Sequence, residues 1–242
     1  MHAVITAGGR VSGEFARVIG TDVKALALIG GRTLLDCAID AARGAGVRSV
    51  TVVGGPEVGR ACQSKIDRLI GEHSDGVENL RRALLANPQA DALFLTSDLP
   101  FVTGAYLREF VERSTSGALG MAVCAAQSYE SRFPGAPAHA THIGGERIAN
   151  GSVFTIPAGS GPAVVDIAGR FFAARKSLLR MSFLLGPQLL ARFAVGRLRI
   201  ADLERKAARE IRVAVLAVRD CAPELCFDVD TLDDYQYALA RS

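Results

Sequence analysis

The sequence predicts an α/β fold in which a mostly parallel sheet is covered by helices. Short apolar runs alternate with segments whose apolar residues recur at helical spacing, and turn-forming residues separate them. This alternation favours parallel strands joined by right-handed crossovers. The chain has 242 residues, of which 49% are hydrophobic and 22% charged. This is the composition of a soluble globular protein with a substantial core.

The elements can be placed in order along the chain. The apolar runs predict strands over residues 2–6, 47–53, 92–96, 121–125, 148–156 and 213–218. The helical periodicity predicts helices over residues 33–45, 76–86, 106–113 and 230–240, the last with Thr231 as its N-cap.

The pattern is less regular in the second half of the chain. Residues 128–147 are rich in Pro, Gly and His and predict a loop or a short excursion, and the strand over 148–156 is expected to break at Asn150-Gly151. Residues 164–208 have helical character. We therefore expect one domain spanning residues 1–242, with a helical insertion around 160–210.

Charge and cysteine content argue against several classes of protein. The formal net charge of +3 is too small to indicate a nucleic-acid partner. The five cysteines are odd in number and form no C-x-x-C pair, as expected for reduced thiols in a cytoplasmic protein. The N-terminal residues enter a strand without a basic leader or a long apolar core, so no signal peptide is expected.

One aspartate stands out because it follows a buried strand. Phe94 and Leu95 predict the end of a strand that Pro100 cannot continue, so Asp98 is expected at the carboxyl edge of the sheet. A carboxylate there can hold a hard cation such as Mg²⁺ against phosphate oxygens. The simpler alternative is a turn residue that bonds its own backbone.

A glycine turn near the start of the chain completes the candidate site. Residues 4–7 predict a strand that runs into Gly8-Gly9, where the backbone can fold tightly and aim several N–H groups at one anion. The next residues supply Arg10, Arg17 and Lys24, which suit a nucleotide triphosphate. The spacing matches neither a Walker loop nor a G-x-G-x-x-G fingerprint. Taken alone, the turn would be interpreted as a solvated surface loop.

These segments together resemble the nucleotidyltransferases related to molybdenum-cofactor guanylyltransferase, the MobA-like NTP transferase family. The segments that carry the resemblance are residues 4–9, Lys24-Ala25-Leu26, residues 30–35, residues 97–100 and residues 227–231. The resemblance implies a three-layer α/β/α, Rossmann-like nucleotidyltransferase (GT-A-like) fold. It also implies transfer of an NMP from an NTP to a phosphorylated small-molecule or lipid acceptor, with Mg²⁺ as cofactor and pyrophosphate as product.

The resemblance further implies roles for individual residues. Those expected to contact the nucleotide are Ala7, Gly8, Gly9, Arg10, Lys24, Asn79 and Asp98. The catalytic candidates are Lys24, Arg17 and Asp98, and the choice between Arg10 and Arg17 for the basic-loop role stays open. Asp98 and Asp230 would hold the metal, with Asp228 as an alternative to Asp230. Asn150 and Gly151 would lie beside the acceptor, although a plain turn would explain them equally well.

Residues 170–199 set arginines among phenylalanines and leucines. Such a segment could meet a lipid surface or hold a phosphorylated acceptor, but a pair of helices packed on the sheet is the simpler interpretation. The apolar run is interrupted by Arg180, Gly186-Pro187 and Arg192, so no membrane span is expected. A homo-oligomer interface is the next interpretation.

Two other functions stay open. A nucleotide-binding module without catalytic activity would bind an NTP and release no pyrophosphate. A glycosyltransferase of the same general fold would hold a nucleotide sugar through a D-x-D motif, and Asp228-Val229-Asp230 has that spacing. This motif lies near the chain end rather than after a central strand, which argues against the glycosyltransferase.

Overall fold

The computed structural model describes residues 1–137, 140–174 and 177–242, and for residues 178–181 it describes the backbone alone. Within these ranges the strands are β1 (His2–Thr6), β2 (Leu28–Ile29), β3 (Arg32–Thr33), β4 (Val50–Gly54), β5 (Arg68–Gly71), β6 (Ala92–Thr96), β7 (Ala118–Ala125), β8 (Ala140–Ile143), β9 (Glu146–Ile156) and β10 (Ala214–Val218). The helices are α1 (Gly13–Ile19), α2 (Leu34–Gly44), α3 (Pro56–Cys62), α4 (Gly76–Leu85), α5 (Gly104–Arg113), α6 (Ala126–Arg132), α7 (Gly161–Ala174), α8 (Leu178–Leu185), α9 (Pro187–Ala194), α10 (Ile200–Ile211) and α11 (Leu232–Leu239).

The main sheet is mostly parallel and is flanked by helices, as the sequence predicts. Its strands run in the order β10-β7-β9-β6-β1-β4-β5, and β8 pairs with β9 beside this path. Strand β9 is antiparallel to both β6 and β7, whereas the remaining neighbours along the path are parallel. The sheet is therefore mixed, with a parallel half built on β1.

The central position of β1 explains why its sequence is an unbroken apolar run. Val4 and Ile5 are fully buried on opposite faces, and Leu93 and Leu95 of the neighbouring β6 are buried too. The two strands are parallel and in register, with Thr6 opposite Thr96. Their carboxyl ends therefore reach the same edge of the sheet, where the backbone N–H of Ser97 donates to the carbonyl of Thr6 at 3.1 Å.

The predicted strands and helices are confirmed, with ends that differ by a few residues. For residues 128–147 the loop is wrong in part and the short excursion is observed, because the described part of the region contains the end of α6, all of β8 and the start of β9. Strand β9 also continues through Asn150-Gly151 without the expected break, although its pairing with β7 shifts register between Met121 and Val123. Glycines at both positions of the β8–β9 turn, Gly144 and Gly145, have positive φ angles of 59° and 83° and explain the loop-like composition.

Within the described residues, seven short elements were not predicted, namely α1, α3, α6, β2, β3, β5 and β8. Helix α1 and helix α3 have seven residues each, and β5 is an edge strand with mostly exposed residues. None of them has enough apolar residues to give a clear periodic signal. The helical stretch predicted over 164–208 contains α7 to α10, within the described residues. None of the helices in the described ranges combines the length and apolar character that crossing a bilayer requires.

Candidate active site

The glycine turn follows β1 and brings Lys24 back to the same edge of the sheet. Ala7 is buried and donates its N–H to Val53 at 2.8 Å, which fixes the start of the turn. The Lys24 N–H donates to the Gly9 carbonyl at 3.0 Å, and Arg10 and Val23 form an isolated antiparallel bridge. A Cβ on Gly9 would lie 3.4 Å from the Lys24 Cε, so the lysine stem lies directly over the turn.

The second acidic segment reaches the site from the other end of the chain. The N–H of Val229 donates to the carbonyl of Asp98 at 3.0 Å, which joins the segment before α11 to the end of β6. Helix α11 then begins at a capping box in which the side chains of Thr231 and Asp234 each bond the other residue's backbone N–H. This confirms the predicted N-cap at Thr231. Asp230 therefore precedes a fixed helix start.

Lys24 lies between two carboxylates. Its Nζ is 2.6 Å from Asp98 Oδ2 and 2.9 Å from Asp230 Oδ1. The side chains of Lys24 and Asp98 are 14% and 11% exposed, whereas that of Asp230 is 60% exposed and opens the site to solvent. Because one ammonium group reaches both carboxylates, a single cation can be shared by Asp98 and Asp230.

The charges at this edge perturb one another. Burial alone would lower the pKa of Lys24, but the carboxylates of Asp98 and Asp230 raise it above its ordinary value. Burial, together with the negative charges of Asp98 and Asp230, raises the pKa of Asp228 to about 6. The Ser152 hydroxyl, which donates to Asp228 Oδ2 at 2.9 Å, and the charge of Lys24 both oppose that rise. Asp228 therefore accepts a proton more readily than an ordinary aspartate.

The donor set fits a hard divalent cation. Asp98 Oδ1 is buried and has no hydrogen-bond partner among the described residues, so it offers an acceptor oxygen that the chain leaves unused. No cluster of three or more His, Cys, Asp or Glu side chains suited to a metal is found in the described ranges. Mg²⁺ is commonly held by one or two carboxylates together with water and substrate phosphates, so Asp98 and Asp230 can suffice.

A second ion pair lies on the other side of the glycine turn. The Arg10 guanidinium pairs with the carboxylate of Glu72 and is 3.9 Å from Glu57. A Cβ on Gly8 would be 2.5 Å from Glu72 Oε2, so this carboxylate lies against the turn. Glu72 and Glu57 were missed from the sequence. Glu72 directly follows β5 as Asp98 follows β6, but β5 has no buried residue, so its sequence gives no strand signal that could have identified Glu72.

Arg17 and Asn79, two residues that the sequence placed in the candidate site, have surroundings other than those expected. Arg17 lies in the last turn of α1 and is exposed. Asn79 lies on α4 with both amide atoms bonded to the backbone of His73. Its Oδ1 accepts from the His73 N–H at 2.6 Å, and its Nδ2 donates to the His73 carbonyl at 2.8 Å. Asn79 therefore fixes the loop before α4.

The acceptor-side candidates lie on β9, next to the acidic segment. Gly151 is buried, and a Cβ there would be 2.8 Å from the Leu225 carbonyl oxygen and 2.9 Å from the Ala122 Cβ, so only glycine fits. Asn150 is exposed, and the next residue but one, Ser152, bonds Asp228. Strand β9 therefore connects the predicted acceptor side with the carboxylates.

Comparison with solved structures gives the same fold. A hypothetical transferase from Thermus thermophilus is 25% identical, with a TM-score of 0.85 and coverage of 96% of this chain and 98% of that chain. A Mycobacterium tuberculosis protein solved as a complex with manganese is 19% identical, with a TM-score of 0.54 and coverage of 100% and 98%. A CMP:2-keto-3-deoxy-manno-octonic acid synthetase solved with CTP is 14% identical, with a TM-score of 0.56 and coverage of 99% and 96%. A comparison with curated proteins finds no significant match.

A family model assigns the chain directly. The model of the MobA-like NTP transferase domain matches residues 3–225, which include the glycine turn, Lys24 and Asp98. This match agrees with the resemblance inferred from the sequence motifs and covers most of the chain. The protein therefore belongs to the MobA-like NTP transferase family.

Proposed function

We propose that this nucleotidyltransferase-family protein transfers an NMP from an NTP to a phosphorylated acceptor and releases pyrophosphate. The observation that carries the proposal is the position of Lys24 Nζ between Asp98 and Asp230, directly over the glycine turn. That arrangement combines a cation for phosphates, two carboxylates for a metal and backbone N–H groups for an anion in one cleft.

Positioning and charge neutralisation account for the chemistry. A phosphate oxygen of the acceptor attacks the α-phosphorus of the NTP, and the bond from that phosphorus to the bridging oxygen of pyrophosphate breaks. Gly8 and Gly9 let the nucleotide approach the backbone closely. Lys24 supplies positive charge to the triphosphate and to the pyrophosphate as it leaves. Arg10 is the better candidate for the basic-loop role, because it directly follows Gly9 and its backbone pairs with Val23 beside Lys24, whereas Arg17 lies in the last turn of α1.

The proposed metal is Mg²⁺, held by Asp98 and Asp230. A neighbouring structure contains manganese, which has similar ligand preferences. When bound, the cation would reduce the repulsion between the α-phosphate and the acceptor phosphate. Asp230 is preferred to Asp228 because Lys24 Nζ reaches Asp230 directly, whereas Asp228 is bonded by Ser152 and its pKa is raised.

The acceptor is proposed to enter beside Asn150 and Gly151 on β9. This side is supported by the Ser152–Asp228 hydrogen bond, which joins the strand to the carboxylates. Asn79 is proposed to act through the loop it fixes at His73 rather than by direct contact with the base. The cysteines are all free thiols, which supports the proposal that the protein is cytoplasmic. The proposal of one domain over residues 1–242 is supported by the main sheet, which contains strands from β1 to β10.

A specific observation keeps the glycosyltransferase as a second candidate. The D-x-D segment at Asp228-Val229-Asp230 lies near the chain end in sequence, but its backbone is bonded to Asp98 at the edge of the sheet. It could therefore hold a nucleotide sugar diphosphate through a metal. The products distinguish the two activities, because transfer from a nucleotide sugar releases a nucleoside diphosphate and no pyrophosphate.

A pyrophosphate-release screen tests the proposal. The four NTPs are each combined with a panel of phosphorylated sugars, alcohols and lipids, with Mg²⁺ present. We expect at least one pair to release pyrophosphate, and we expect Asp98→Asn to lower that rate by at least about a hundredfold. Asp233→Asn is the matched control, since Asp233 is an exposed carboxylate in the first turn of α11. Equal rates in both variants, or nucleoside diphosphate release from nucleotide sugars alone, would contradict the proposal.

A further inference from the structure

The helical insertion exposes an unusual number of large apolar side chains. Of the eleven exposed large hydrophobic residues in the described ranges, six lie between residues 171 and 195. Phe183 is 85% exposed, Val195 66% and Phe193 56%. The sequence favoured helices packed on the sheet, and for α9 this interpretation is wrong. None of the eight residues of α9 is buried, although they include Leu189, Leu190 and Phe193. A surface helix normally buries such residues.

The same segment carries a strong positive charge. Residues 167–200 contain seven Arg and Lys residues and no Asp or Glu, so with a total of +3 the rest of the chain is net negative. Arg170 and Arg192 pair with Glu210 and Asp202, which lie outside this segment. Arg197 and Arg199 are exposed next to Val195. Arg175 and Lys176 lie outside the described residues, and the side chain of Arg180 is not among those described.

We propose that Phe183, Leu190, Phe193, Val195, Arg197 and Arg199 form a surface that docks onto an anionic lipid bilayer. Phenyl and aliphatic side chains enter the boundary between head groups and acyl chains, while arginines bind the lipid phosphates around them. The helices α8 and α9 have eight residues each, so they would lie on the bilayer rather than span it. This inference does not depend on the proposed activity.

Charge complementarity favours a bilayer over a second copy of the chain. In a two-fold contact the same surface meets itself, so the unpaired arginines of both copies would face each other without an acidic partner from this segment. A nucleic acid is also anionic and its bases could stack on Phe183 and Phe193, but it would leave the aliphatic Leu190 and Val195 without an apolar partner. An anionic bilayer supplies phosphates that bind the arginines and acyl chains that cover the aliphatic side chains.

The surface is connected to the proposed acceptor side through β9. Leu198 and Arg199, which lie between α9 and α10, pack their backbone against Gly144 in the β8–β9 turn, where no Cβ could fit. Strand β9 then carries Asn150 and Gly151 toward the carboxylates. Docking through the insertion would therefore hold β9 close to the lipid surface.

A single fluorophore provides the first test, because the chain contains no tryptophan. In Phe183→Trp the emission should shift to shorter wavelength when phosphatidylcholine vesicles with about one-third phosphatidylserine are added, because the indole leaves water. Vesicles of phosphatidylcholine alone should cause no shift, and high salt should reverse the effect. Leu239→Trp is the matched control, because Leu239 is also exposed but lies on α11, and its emission should not change.

Vesicle flotation of the full chain provides the second test. We expect Phe183→Asp combined with Phe193→Asp to weaken binding to the anionic vesicles by more than about tenfold, with Leu239→Asp unchanged. All variants should keep the far-ultraviolet circular dichroism of the parent chain, since the altered side chains are exposed. Parent-like flotation of the double variant would overturn the proposal. So would a dimer or an RNA complex that the double variant abolishes while vesicles leave the Phe183→Trp emission unshifted.

Discussion

The carboxyl edge of the sheet and the α8–α9 segment differ in what determines the position of their side chains. At the edge, Lys24 and Asp98 are nearly buried and are tied to the backbone of β1 and β6 through Gly9, Thr6 and Val229. In α9 no residue is buried, and Phe193 is more than half exposed. The sheet therefore fixes the side chains of the proposed site, whereas the insertion leaves large apolar side chains exposed to solvent.

The largest expected effect is a loss of stability. It is measured as the free energy of unfolding of one variant in the sheet and one in the insertion. Leu95 is fully buried beside Ile5, so Leu95→Ala should lower the free energy of unfolding by about 2–5 kcal/mol. Phe193→Ala should change it by less than about 1 kcal/mol, because its ring is already largely in water. Urea unfolding of both variants measures the difference. A large loss in Phe193→Ala would mean that the ring is covered in solution.

The next effect concerns the lysine between the carboxylates. In Lys24→Met, NTP turnover should fall at least about a hundredfold, because the triphosphate loses its cation. Binding of Mn²⁺ alone should become tighter, since Lys24 no longer neutralises Asp98 and Asp230. Lys65→Met is the control, because Lys65 pairs with Asp36 on the surface. Metal binding that weakens in Lys24→Met would contradict the shared-cation arrangement.

A smaller effect on stability distinguishes Gly151 on β9 from Gly76 at the start of α4. Gly151→Ala should destabilise the protein by about 1–3 kcal/mol, because the new Cβ meets the Leu225 carbonyl and Ala122. Gly76→Ala should be neutral or slightly stabilising, because a Cβ at the start of α4 meets nothing within 4 Å. Thermal unfolding followed by circular dichroism distinguishes them, and equal midpoints would show that β9 can shift to make room.

The smallest predicted effect is a pH dependence in the metal-free protein. The pKa of Asp228 is raised to about 6, whereas in the unfolded chain it is about 4. The folded state therefore binds more protons between these values, so this residue's contribution to stability is lost as pH rises through that window. Asp228→Asn should raise the free energy of unfolding by about 1–2 kcal/mol at pH 7.5 and much less near pH 4. A pH-independent effect in Asp228→Asn would exclude the raised pKa.

Much of the site could be predicted from the sequence because its residues follow strands with strong apolar patterns. The runs before Gly8 and Asp98 identify β1 and β6, and parallel strands place their carboxyl ends together. Glu72 could not be found in this way, because β5 is an edge strand with few buried residues. Asp230 and Lys24 are far apart in the chain, so only the family resemblance predicted that both belong to the site, and their direct contact was not predicted.

The exposure of the apolar residues in the insertion could not be predicted from their periodicity. The apolar residues of α9 recur at helical spacing whether they face a core or a partner, so the pattern predicts a helix and not what covers it. The β8–β9 hairpin was missed for a different reason. Its glycines and the nearby prolines match a loop in composition, whereas Gly144 is required because the turn packs against the Leu198 carbonyl.

Binding of a divalent cation tests the central claim most directly. Mn²⁺ is titrated into the protein with a non-hydrolysable NTP analogue, and the free ion is followed by its electron paramagnetic resonance signal. The account predicts that Asp98→Asn and Asp230→Asn each weaken binding by about tenfold or more, while Asp233→Asn binds like the parent chain. Parent-like binding in Asp98→Asn would show that the cation does not lie at this edge of the sheet.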